Sequence, residues 1–278
     1  MTFKTIFMAV STADGDAVID QAVEVCERAG AHLALLVLGI APPPPASPYG
    51  VVSNDIWAGE IRDGQNEAQV RSKELQARLA SRQLPVSVEA QYIDRGTVAT
   101  LAARFARYAD LTLIMPQATG FETLQTWVMN GALFESGRPI LLLPAGATSF
   151  PEAHKVMIAW DASVEASKAV RDAICVMKTA EKVHAVLIDP VPSFDGHGPE
   201  PGSDLATYLG RHGIATEVHR LPKEGKDTGE ILRRVASDLG ADLIVMGGFG
   251  HSRLRERIFG GATTSMVKTP SVAVLMAH

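Results

Sequence analysis

Cysteine is scarce: Cys26 and Cys175 are the only two in 278 residues. Neither sits in a Cys-x-x-Cys pair or beside a histidine pair, which argues against a disulfide framework or a thiolate metal site and for a reduced compartment. Long hydrophobic runs are missing too. No stretch reaches the roughly 18 apolar residues that span a bilayer. The opening MTFKTIFMAVSTADG lacks both the apolar length and the small-residue cleavage site of a signal peptide. Excess basic charge is absent: net charge is -5 and the isoelectric point about 5.9, a balance that disfavours nucleic acid as a partner. There is no Gly-x4-Gly-Lys-Ser/Thr loop, no His-Glu-x-x-His helix, no recognisable Ser-His-Asp arrangement and no metal cluster. His197, two residues from Asp195 in a glycine-rich loop, is a weak metal signal. These absences predict a soluble cytoplasmic protein with no membrane contact, no assigned catalytic residue and no assigned metal ligand.

What is present is ordinary globular material, 46% hydrophobic and 21% charged, enough apolar side chain for one core in each of two halves. The halves repeat each other. Thr5 to Ser11 and Val156 to Asp161 are apolar runs of buried-strand length. A pattern of apolar residues at three and four residue steps follows each and predicts a helix. Cys26 and Cys175 occupy matching places in those helices, where both are expected to face a core as small hydrophobes. Second strands, Leu33 to Leu38 and Val183 to Ile188, run into proline-rich loops. Polar helices around Asn66 to Arg82 and Ser203 to His212 come next. Third strands follow at Val86 to Tyr92 and Ala215 to Arg220, then helices at Val98 to Tyr108 and Thr228 to Leu239. Both halves then write Ala-Asp-Leu before a strand, at Ala109 and at Ala241. Last strands close the halves at Pro139 to Leu143 and Ser271 to Met276.

Alternating strands and helices, twice over, predict an α/β protein of two tandem open parallel five-stranded sheets with helices on both faces, a Rossmann-like arrangement. The boundary falls in the aperiodic stretch Pro144 to Ala153, giving domains at 1–148 and 149–278.

The segment richest in chemistry runs from Gly247 to Thr264, GGFGHSRLRERIFGGATT. It leaves the strand Leu243 to Met246 and enters a helical stretch at Ala262 to Val267. Glycines at a strand end let the chain turn and let a phosphate approach backbone N–H groups, and a helix N-terminus adds its positive dipole. Two readings stand: a phosphate loop, or a turn that only redirects the chain. Arg253 has two readings as well, a solvated loop face or a phosphate contact.

Gly247, Gly250 and Gly260 have the Gly-x2-Gly-x9-Gly spacing of the universal stress protein family, and Asp161 in WDAS matches that family's acid after the first strand. The chain resembles a tandem bacterial member, strongly in its second half and by topology alone in its first. The resemblance implies an adenine nucleotide alpha hydrolase-like fold. It also implies ATP or a related adenine nucleotide held at most by the C-terminal domain. Asp161 would take the ribose, the loop of Gly247, Gly250, Gly260 and Gly261 the phosphates, and Ile188 the adenine. Gly261 stands where ATP-binding members have Ser or Thr. Loss of that hydroxyl removes one or two hydrogen bonds of about 1 kcal/mol each, for which Thr263 and Thr264 are the candidate substitutes. The first half departs further. Met115 and Ala118 stand near where two glycines would be needed, Pro116 removes a backbone donor, Ser11 takes roughly the place of the acid, and Trp127 to Gly131 keeps one glycine. It is therefore expected to bind no nucleotide in that way. The resemblance also implies an intrachain pseudo-dimer joined through the last strands, with a homodimer of the tandem chain left open.

The resulting expectation is a nucleotide-responsive binding module in stress adaptation. A ligand-free protein-interaction scaffold and a slow ATPase are the alternatives, and the ATPase lacks recognisable machinery.

Overall fold

A computed structural model describes residues 3–43, 54–115, 124–144, 147, 153–194, 196–249, 263, 266–267 and 270–278. The chain divides into two compact units. The first comprises Phe3–Thr112 and Gln117–Ser136, the second Met1–Thr2, Leu113–Pro116 and Gly137–His278.

In the first unit, strands β1 (Thr5–Ser11), β2 (His32–Ala41), β3 (Val86–Asp94) and the start of β4 (Leu111–Ile114) lie in the order β3-β2-β1-β4. All the pairings among them are parallel. Ile6 through Val10 of β1 and all of β4 are buried, which requires cover on both faces. That cover is helical: α1 (Asp16–Ala29), α2 (Asn54–Leu79), α3 (Val98–Ala106) and α4 (Leu124–Glu135). β1 and β3 start where the sequence pattern puts them, and β2 starts one residue early and runs on to Ala41, three residues past its expected end. Helix α2 departs further: it begins at Asn54, where its pattern predicts Asn66. Gly59 and Gly64 dilute the helical signal in that stretch, and the helix is mostly polar. Ion pairs tie it to α1, with Arg71 at 2.7 Å and Arg78 at 3.1 Å from Asp16, and Arg78 also on Asp20. The Arg71 hydrogen bond holds the Asp16 carboxyl below its ordinary range.

The second unit orders its strands β5-β10-β9-β6-β7-β8. These are β5 (Ile140–Leu142), β6 (Lys155–Ala159), β7 (Lys182–Ile188), β8 (Thr216–Leu221), β9 (Leu243–Gly247) and β10 (Ala273–Ala277). The five strands β10-β9-β6-β7-β8 are mutually parallel, as the sequence pattern predicts. β5 runs antiparallel to β10, with Leu142 opposite Val274 and Ile140 opposite Met276. Helices α5 (Val164–Met177), α6 (Ser203–Arg211) and α7 (Thr228–Leu239) complete the unit. Among the described residues, no helix is long and apolar enough to cross a membrane.

The twice-written Ala-Asp-Leu has a structural reason. The Asp110 carboxylate accepts from the backbone N–H groups of Lys4 (2.7 Å) and Thr5 (3.0 Å), and its own N–H donates to the Thr5 carbonyl (2.9 Å). Asp242 does the same for the start of β6, accepting from Lys155 N at 2.9 Å and donating to the Lys155 carbonyl at 2.9 Å. Each aspartate satisfies donors that the parallel ladder leaves open at its N-terminal end.

Gly131 also has a local purpose. A Cβ there would sit 1.9 Å from the Ala99 carbonyl oxygen, so α4 crosses α3 backbone against backbone. Gly131→Ala is expected to destabilise the first unit by about 1–3 kcal/mol or more, read as an earlier first transition in urea.

The two cysteines differ in burial. Cys26 is fully buried, and burial pushes its thiol up to about 12. Cys175 is half-buried. Iodoacetamide at pH 8 should label Cys175 in the native protein and Cys26 only after denaturation, because the thiolate is the nucleophile. Equal native labelling would contradict this.

Candidate functional site

In the second unit the chain builds β6, β7 and β8 outward in one direction and then returns to place β9 on the other side of β6. This reversal is a topological switch point, where the carboxyl ends of two neighbouring strands diverge and leave a crevice. β6 and β9 are paired from Val156 and Leu243 up to Ala159 and Met246. Trp160 and Asp161 leave β6 there, and Gly247, Gly248 and Phe249 continue from β9.

Asp161 is exposed and folds back on the start of α5. Its Oδ1 accepts from Ser163 N (3.0 Å) and from the Ser163 hydroxyl (2.6 Å). Ser163 is the N-cap of α5, and its Oγ accepts from Ala166 N at 3.1 Å. The hydroxyl thus links the carboxylate to the helix end, where the macrodipole favours negative charge. Ala162 adopts a left-handed φ of 60° to make this turn.

Gly247 is set by contact. A Cβ on it would lie 2.6 Å from Ala166 N and 2.9 Å from the Glu165 carbonyl carbon, so the first turn of α5 rests directly on the end of β9. This is a packing role in addition to whatever the loop binds. Gly248 N donates to the Ala277 carbonyl, and His278 Nδ1 donates to the Gly248 carbonyl, each at 2.9 Å. Phe249 is buried at a left-handed φ of 62°, and its N–H donates to Thr263 Oγ1 at 3.4 Å. Thr263 is itself buried. Ile188 is half-buried at the end of β7, the strand next to β6.

The structure therefore brings Asp161 and Gly247 to one switch point, puts Ile188 at the end of the adjacent strand, and ties Thr263 to the turn after β9. Gly250, Arg253, Gly260 and Gly261 lie outside the described residues, as does Asp195. The sequence reading passed over Ser163 and Phe249. Serine three residues before Ala166 and immediately before a helical pattern is an N-cap signal. A phenylalanine at left-handed φ leaves no trace in the sequence.

The first unit is built differently at the corresponding point. Ser11 ends β1 without an acid, and Asp14 reaches back instead, accepting from Ser11 N at 2.7 Å. Gly15 caps α1 with no side-chain bond. β1 and β4 pair only at Ile6 and Phe7, opposite Leu111 and Thr112. Past that point Gln125 of α4, 6% exposed, donates its Nε2 to the Ala9 carbonyl at 3.1 Å. A helix side chain thus satisfies the strand where the second unit has a continued ladder.

Ser163→Ala should cost about 1 kcal/mol of stability through loss of the cap, measured as a lower midpoint for the second unit in urea. No change would place the cap outside the folded state in solution.

Residues 152–278 match the family model described as the Universal stress protein family. No curated protein matches the chain. A universal stress protein from Archaeoglobus fulgidus DSM 4304 aligns with a TM-score of 0.70 at 15% identity, covering 98% of this chain and 95% of that one. A putative universal stress protein from Pseudomonas aeruginosa UCBPP-PA14 aligns at 0.61 and 14% identity, covering 99% and 92%. A universal stress protein in complex with cAMP matches 46% of this chain and 98% of that one, at 18% identity and a TM-score of 0.35; the ligand is that protein's. The two full-length likenesses show that both halves share the fold.

Proposed function

We propose that this chain, whose residues 152–278 carry a universal stress protein domain, is a nucleotide-responsive binding module for stress adaptation. Its second unit takes ATP or a related adenine nucleotide, and its first takes none in that manner. The observation that carries the reading is the convergence of Asp161, the capped N-terminus of α5 and Gly247 at one switch point. In this reading Asp161 meets the ribose and Ile188 borders the adenine. The loop that begins at Gly247 and includes Gly250, Gly260 and Gly261 offers N–H donors to the phosphates, with Arg253 as their cation. Thr263 Oγ1 accepts from Phe249 N, so its own hydrogen remains the donor in place of a hydroxyl at Gly261. The tandem chain acts as an internal pair, with β5 and β10 antiparallel as its seam.

Binding rather than turnover is the assigned role, since the sequence carries no recognisable phosphoryl-transfer motif. A protein-docking reading has one observation of its own: Val191 and Phe194, beyond Ile188, are 70% and 106% exposed.

Calorimetric titration with ATP, ADP and AMP, with mass analysis of co-purified ligand, tests the proposal. Asp161→Ala is expected to weaken binding about tenfold, or roughly 1.4 kcal/mol, and Asp14→Ala to leave it unchanged. Wild-type protein that binds none of the three at millimolar concentration would sink the reading and leave docking in its place.

A further inference from the structure

We propose that His184, Glu217 and His219 form a three-ligand site for a divalent transition-metal ion of the zinc class on strands β7 and β8. The site is separate from the nucleotide crevice and does not depend on it.

The backbone explains the convergence. Glu217 and His219 are two apart on β8 and so share one face of the strand. His184 on β7 stands directly opposite Glu217 in the parallel register, and His219 stands opposite Val186. Val218, between the two β8 residues, points to the other face, where it packs against Gly202. Three residues of ligand type are thus held on one surface by main-chain pairing rather than by loop conformation.

Two of their three contacts are too long for hydrogen bonds and suit a shared ion, while the two imidazoles stand at hydrogen-bond distance. His184 Nδ1 and His219 Nε2 are 3.0 Å apart. The two Glu217 oxygens stand 3.4 Å from His184 Nδ1 and 3.8 Å from His219 Nε2. Both carboxylate distances exceed the usual N–H···O range of about 2.7–3.2 Å. A tetrahedral zinc ion with bonds of about 2.05 Å sets its ligand atoms about 3.3 Å apart; the two histidine nitrogens are 3.0 Å apart, and each has a different Glu217 oxygen near that distance, Oε2 for His184 and Oε1 for His219. All the ligand atoms lie within 4.8 Å of one another. Neutral imidazole is the ligating form. Two nitrogens and one carboxylate are a donor set of borderline softness, suited to zinc and its neighbours rather than to magnesium or calcium. Three protein ligands leave a fourth tetrahedral position for water or an exogenous group.

The test uses full-length, tag-free, chelator-treated protein, titrated with Zn2+ against a chromophoric chelator and with Co2+ as a spectroscopic probe. A single tight equivalent is expected, with intense visible Co2+ bands of tetrahedral type and a rise in Tm with added Zn2+. His219→Gln and Glu217→Gln, at half-buried and exposed positions, should each weaken Zn2+ binding about tenfold or more. They should also erase the Tm rise and change the Co2+ bands, while His212→Gln leaves all three readouts intact. His184→Asn is the third ligand variant, interpreted only with an unaltered circular dichroism spectrum. Wild-type protein that takes up no Zn2+, or uptake that survives both β8 substitutions, would overturn the proposal. Nucleotide affinity measured on the same variants is expected to be unchanged, so failure of the metal site and failure of the nucleotide site are read separately.

Discussion

The first turn of α5 touches the end of β9 with no side chain between them, because position 247 is glycine. Much of the second unit's chemistry depends on that approach. It fixes where the positive end of the helix lies relative to the carboxyl ends of β6 and β9. Ser163 then caps the helix, and Asp161 can reach the serine only from the turn that leaves β6. Moving the helix outward by the width of one methyl group would shift the cap, the acid and the crevice together, since close-packed interiors transmit small displacements.

The two units share one scaffold and differ at the switch point. The strand-start aspartates, Asp110 and Asp242, satisfy the same kind of backbone donors in both. That need comes with any parallel strand of this length and has nothing to do with a ligand. At the switch point the demands separate. The second unit holds an exposed acid and a bare backbone there. The first has an acid displaced to Asp14 and a glutamine from α4 that occupies the Ala9 carbonyl. Gly131, the one glycine kept in that stretch of the first half, serves the crossing of α3 and α4.

Most of the architecture was legible in the sequence because buried parallel strands are nearly continuous apolar runs and their helices carry a distinct period. β1 and α7 fall where the pattern puts them, at Thr5–Ser11 and Thr228–Leu239. The first turns of α2 resisted because Gly59 and Gly64 interrupt a mostly polar stretch that local periodicity does not mark as helix. At the site, Asp161 and Gly247 were legible as an acid after one strand and a glycine after another. The contact that makes Gly247 necessary was not, since it joins residues about 80 positions apart in sequence. The cluster of His184, Glu217 and His219 escaped for a related reason. Glu-x-His on a strand is a same-face pair, but its third member is supplied by the register of a different strand.

The antiparallel pairing of β5 with β10 has a kinetic side. β5 is three residues long, and its partner lies roughly 130 residues further along the chain, so the ladder closes one of the longest loops in the molecule. Until β10 arrives, Ile140, Leu141 and Leu142 present an apolar strand with an unpaired edge. An identical strand in another copy of the chain offers the same edge. Antiparallel pairing is compatible with a strand meeting its own twin, so β5 is where off-pathway association between nascent molecules would begin. Arrival of β10 thus removes an edge that β5 would otherwise present.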